Sequence, residues 1–110
     1  MCSILGILDI ARGADLRALR EQALAQSARQ RHRGPDWSGV YVDDHAVLVH
    51  ERLAIVGVSS GAQPLRSADG GLVLAVNGEI YNYCELRREG GERYDFQTDS
   101  DCEVINALYC

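Results

Sequence analysis

A chain of 110 residues, 46% hydrophobic and 25% charged, is sized for one folded unit with a single core, and no apolar run approaches the ~18 residues of a membrane-spanning helix. Its net charge of −5 and pI near 5.0 argue against a nucleic-acid partner, because binders of the phosphate backbone concentrate Lys and Arg. Cys2, Cys84, Cys102 and Cys110 form no C-x-x-C pair, and His32, His45 and His50 share no zinc-site spacing, which argues against a metal centre and favours reduced thiols in a cytoplasmic protein.

The chain opens Met1-Cys2-Ser3-Ile4. Removal of Met1 would leave Cys2 carrying both a thiol and a free α-amine, a nucleophile with its own base. Ser3 to Ile10 is rich in Ile and Leu and reads as a strand holding Cys2 at a sheet end. Leu16, Leu19, Ala23, Leu24 and Ala28 recur at helical spacing behind Asp15, a candidate N-cap. That helix stops before Arg33-Gly34-Pro35-Asp36, which is turn chemistry. Gly39–Val42 and Ala46–Val49 flank Asp43-Asp44-His45 as a hairpin, and Leu53–Val58 reads as a further buried strand.

Residues 57–71 hold Gly57, Gly61, Gly70, Gly71, three Ser and Pro64, the composition of a long loop. Leu72–Val76 reads as a strand ending in a tight turn at Asn77-Gly78, and a helix is expected from Glu79 to Glu89. Tyr94–Thr98 reads as a short strand. Ser100-Asp101-Cys102-Glu103 has the spacing of a capping box before Val104, Ile105, Ala107 and Leu108. This last helix has no C-cap before Cys110, so the sequence reads as cut short.

Five blocks occur in order: Cys2-Ser3-Ile4-Leu5-Gly6, Arg31 to Gly39, His50 to Val56, Gly61-Ala62-Gln63-Pro64-Leu65 and Asn77 to Asn82. Together they closely resemble the start of the glutamine-dependent asparagine synthetases, over essentially the whole chain. Other class II glutamine amidotransferases share the N-terminal Cys and the Asn-Gly turn. The Arg33-Gly34-Pro35-Asp36 and Gly61-to-Leu65 forms resemble the asparagine-forming branch.

The resemblance implies an α+β fold: residues 1–110 would be the N-terminal part of an αββα sandwich of the N-terminal nucleophile hydrolase type. The glutaminase domain would be incomplete and the synthetase domain missing. It implies glutamine hydrolysis by Cys2, with ammonia passed to asparagine synthesis. Asn77 and Gly78 would form the oxyanion hole. Arg52, followed by Leu53, Ala54, Ile55 and Val56, would bind substrate and clamp its α-carboxylate, and Asp101 with Glu79 nearby would hold the α-ammonium. Arg33 would border the site. L-glutamine is the implied substrate, and the full-length protein could form a homodimer. ATP and magnesium would serve the missing synthetase part, since no phosphate-cradling motif occurs here.

Each residue also has a plainer reading. Asn77-Gly78 makes an ordinary hairpin turn, Asp101 favours a helix N-terminus by charge alone, and Arg52 is a surface arginine. Cys84 and Cys102 read as ordinary helix-face thiols, and Asp99 stands where some relatives have a small residue. Two accounts compete with this reading of the whole: a truncated, non-catalytic fragment or interaction module that keeps the motifs but exposes sheet edges and apolar faces, and the glutaminase domain of another class II amidotransferase.

Overall fold

Alternating side chains decide which face of the first sheet is buried. In the computed structural model, which describes residues 1–110, strands β1 (Ser3–Leu8), β2 (Trp37–Val42) and β3 (Ala46–Arg52) form an antiparallel sheet in the order β1-β3-β2. The register sets Leu5 and Val40 opposite Val49, and Ile7 and Val42 opposite Val47. All six therefore share one face. Helix α1 (Leu16–Ser27) covers that face, and its N-cap is Asp15, whose Oδ1 accepts from Ala18 N at 3.1 Å. Ala23, Val47 and Val49 are fully buried, with Leu19 and Leu24 packed around them. The small Ala23 side chain lets the helix approach closely.

The hairpin turn between β2 and β3 forms as expected: Asp43 Oδ1 accepts from the backbone N–H groups of His45 and Ala46 at 2.8 and 2.7 Å. Glu51 is buried on the α1 face. It accepts hydrogen bonds from Ser27 and Ser38 and pairs with Arg31 at 3.6 Å, tying β3 to the end of α1 and to β2.

The opposite face presents Leu48, His50 and Arg52. A short hairpin of β4 (Leu65–Arg66) and β5 (Val73–Leu74) and the segment leading into it lie over part of this face. A Cβ added at Gly39 would fall on the backbone carbonyl oxygen of Gln63, so only glycine lets the chain run so close to β2. This face opens toward the end of β1, where Leu8 is 69% exposed against 39% for Ile4. Helix α2 (Tyr83–Gly90) packs against α3 (Val104–Tyr109), which is entered through a 3₁₀ turn at Asp101–Glu103.

Several sequence expectations give way to tertiary structure. The first strand ends at Leu8 rather than Ile10, because Asp9 turns the chain with φ of 55°. Leu53–Val58 is no strand. At that end β1 and β2 reach only Glu51 and Arg52, so the chain beyond finds no partner. It coils instead around the Arg52 guanidinium, turning at Gly57 with φ of 62° and leaving Ile55 60% exposed.

The strand expected over Leu72–Val76 shrinks to Val73–Leu74, since its partner β4 is two residues long. The helix expected from Glu79 starts at Tyr83, leaving Glu79 in irregular chain. Tyr94–Thr98 is irregular as well, because Glu103 takes its backbone. The Glu103 carboxylate accepts from Gln97 N at 2.7 Å, Thr98 N at 2.8 Å, Thr98 Oγ1 at 2.7 Å and Tyr94 OH at 3.2 Å. Only half of the expected capping box forms: Ser100 Oγ accepts from Cys102 N, while Glu103 serves the loop before the helix.

Candidate active site

Cys2 sits at the head of β1, half-buried, and its thiol meets the backbone just past β3. Leu53 N–H donates to Cys2 Sγ at 3.2 Å, and the thiol lies 3.6 Å from the Leu53 carbonyl oxygen. A cavity of about 310 Å³ opens beside it. Cys2, Arg52, Asn77, Gly78, Glu79 and Asp101 all line this cavity, and so do Leu53, Ile55 and Val56. Fold contacts thus bring together residues from four separate stretches of sequence.

Arg52 is buried, and its guanidinium is partly occupied. Nη1 donates to Val58 O at 3.3 Å, and Nη2 donates to Val56 O at 3.2 Å and Gly57 O at 2.6 Å. Three of five N–H donors hold the 53–61 loop, and two remain for a ligand. Asp101, in the same lining, is buried with Oδ2 accepting from Ile80 N at 2.7 Å. The lining therefore carries both a cationic and an anionic side chain. That pattern suits a zwitterion.

Asn77 and Gly78 form no hairpin. Strand β5 pairs backward with β4, and the chain after Gly78 runs on to α2. The turn reading fails because no strand follows to pair.

Cys102, which the sequence reading set on an ordinary helix face, is buried in the cavity wall, with its thiol 3.5 Å from the Gly78 carbonyl oxygen. Burial, reinforced by the Asp101 carboxylate beside it, pushes this thiol up to about 12. At neutral pH it stays protonated, and so it is a weak hydrogen-bond donor and no nucleophile. Cys84 and Cys110 are exposed and do not line the cavity.

Two expected residues stand elsewhere. Arg33 is in an exposed turn whose N–H bonds back to Gln30 O; Gly34 packs against the end of β3 and leaves the arginine in solvent. Ala54 faces a neighbouring depression with Trp37 and Val58, its N–H fixed by Asp36 Oδ2 at 2.8 Å. Asp99 bonds Ser60, its N–H to Ser60 Oγ at 3.1 Å, and so pins the 53–61 loop to the segment before Asp101. Sequence reasoning missed Gln63, Tyr81 and Ser100 as lining residues. Gln63 lay within a quoted block, and only the fold shows where its side chain reaches.

No group of three or more His, Cys, Asp or Glu side chains converges as metal ligands, and no helix is long and apolar enough to cross a membrane.

Comparison with known proteins adds the family context. The family described as a glutamine amidotransferase domain matches residues 1–110. The chain is 61% identical over 109 residues to the glutamine-hydrolysing asparagine synthetase B of Escherichia coli, covering 99% of this chain and 19% of that protein. It is 56% identical over 109 residues to a probable glutamine-hydrolysing asparagine synthetase of Schizosaccharomyces pombe, covering 99% and 19%. Against a glutamine-hydrolysing asparagine synthetase of Saccharomyces cerevisiae it is 53% identical over 104 residues, covering 94% and 18%. The chain thus spans about one fifth of the length of these relatives.

Proposed function

Since the chain belongs to the glutamine amidotransferase domain family, we propose that its cavity binds L-glutamine and that Cys2, freed of Met1, hydrolyses the side-chain amide to glutamate and ammonia. The observation that carries this reading is the convergence of Cys2, Arg52, Asn77-Gly78 and Asp101 on one cavity of about 310 Å³. Arg52 pairs with the substrate α-carboxylate through its charge and an N–H that the loop leaves free, while Asp101, with Glu79 beside it, receives the α-ammonium.

The α-amine of Cys2 takes the thiol proton, and the sulfur attacks the amide carbon. A C–S bond forms as the carbonyl electron pair moves onto oxygen, where the Asn77 side-chain N–H and the Gly78 backbone N–H stabilise it. The carbonyl then re-forms, the C–N bond breaks, and the proton held on the α-amine goes to the leaving nitrogen as ammonia. Water attacks the resulting thioester, giving glutamate and returning the thiol.

In a longer protein like the relatives, the ammonia would serve ATP-dependent asparagine synthesis from aspartate. We place the chain in the N-terminal nucleophile hydrolase fold, with the exposed Ile4 and Leu8 face of β1 receiving further layers of the αββα sandwich.

Asn77→Ala tests the oxyanion assignment. It should lower kcat for glutamine hydrolysis by ~10²–10³-fold with KM little changed. A variant with unaltered kcat would remove Asn77 from the mechanism.

A further inference from the structure

The residues assigned to the oxyanion lie in chain that lacks secondary structure. No backbone–backbone hydrogen bond reaches Val76, Asn77, Gly78 or Glu79. Donors that stabilise a developing charge must nevertheless be fixed in advance, because a site that reorganises during the reaction loses most of their effect. Side chains do the fixing here. Val76 N–H donates to Gln63 Oε1 at 2.6 Å, and the Val76 carbonyl lies 2.9 Å from His50 Nε2.

Both side chains come from elements set by other contacts. His50 is on β3, fully buried between its partners Ile4 and Gly39 in the sheet. Gln63 is buried in the segment laid against Gly39. The Val76 carbonyl belongs to the same planar peptide as the Asn77 N–H. Holding both polar groups of Val76 therefore sets the direction in which the chain enters Asn77-Gly78.

The state of the His50 ring fits this task. Its Nδ1 is buried with no partner. Since a carbonyl oxygen only accepts, Nε2 must carry the ring proton. Burial holds the imidazole pKa below its ordinary value, although the Val76 bond opposes that shift. A ring kept neutral with a single proton makes one directed bond, to Val76.

We propose that His50 and Gln63 are positioning residues that hold the carbonyl and the N–H of Val76 and so aim Asn77 and Gly78 at the oxyanion. This rests on the glutaminase reading above. Neither side chain need touch the reacting atoms.

The test is steady-state kinetics of glutamine hydrolysis by the full natural protein. His50→Leu and Gln63→Met should each lower kcat by ~10²-fold, with KM held within ~3-fold, as expected for donors misplaced by about 1 Å. His50→Gln keeps an N–H at similar reach, and Gln63→Glu keeps the acceptor oxygen; each should recover kcat to within ~5-fold of the natural protein. A purely structural role would lower the melting temperature and raise KM without this recovery.

Unchanged kcat in the apolar variants would overturn the clamp. So would a folded His50→Gln or Gln63→Glu protein ~10²-fold down in kcat, an outcome readable even if the apolar variants fail to fold. Cys2→Ala, assayed in parallel, separates the two levels. Activity that survives it refutes the glutaminase reading; loss there, with full kcat in His50→Leu and Gln63→Met, refutes only the clamp.

Discussion

Replacing Cys2 by Ala should lower glutamine hydrolysis by ~10⁴-fold or more, because removing a covalent nucleophile leaves only the contribution of binding and charge stabilisation. The size of this effect depends on there being no substitute. Cys102 shares the cavity, yet its thiol is pushed up to about 12 by burial and is essentially never a thiolate at neutral pH. It also lacks an α-amine. Cys84 and Cys110 lie outside the cavity. Release of glutamate and ammonia, followed at saturating glutamine, checks the prediction. An alanine variant within 10-fold of the natural protein would remove Cys2 from the chemistry.

Glu103→Ala should be the most damaging single change to the fold. The side chain is fully buried and accepts four hydrogen bonds from Tyr94, Gln97 and Thr98. Alanine would strand two backbone N–H groups and two hydroxyls. A buried donor left without a partner costs about 1–3 kcal/mol; Tyr94 is buried, whereas Thr98 is half-buried and Gln97 exposed, and the losses overlap, so a total of about 2–4 kcal/mol is expected. That is a large part of the whole stability of many small domains, which is about 5–15 kcal/mol. Asp101 and Ser100 follow directly on this loop, so the anionic part of the cavity lining would loosen too. Denaturant titration by circular dichroism reads the effect. A shift below about 1 kcal/mol would mean that solvent replaces the lost carboxylate.

Much of the fold was legible in local sequence wherever a local rule governs it. Asp15 before a helical stripe, the β2–β3 hairpin and the helix after Ser100 each follow from propensity, capping and turn chemistry, and each forms. Two of the expectations that fail do so because a buried polar group overrides apolar pattern. Leu53–Val58 has the composition of a strand, but three of its carbonyls turn inward to Arg52. Tyr94–Thr98 has it too, but Glu103 claims the backbone.

The same holds at the cavity. The Cys, Arg, Asn-Gly and Asp candidates come from the family resemblance rather than from any local rule, and the fold sets all of them along one cavity. Gln63, His50 and Cys102 act through backbone atoms of residues 13 to 26 positions away, and no sequence spacing announces such bonds. Arg33 was misplaced for the opposite reason: its motif is conspicuous, but Gly34 is the part that packs.

The most direct measurement is intact-mass spectrometry of the purified protein before and after exposure to a glutamine-mimicking diazoketone, with the adduct mapped by peptide fragmentation. The expected result is a protein lacking Met1 that takes one label, on Cys2, and is protected by excess L-glutamine. Retention of Met1, or label scattered over Cys84 and Cys110 with Cys2 untouched, would contradict an N-terminal cysteine nucleophile in a glutamine-reading cavity.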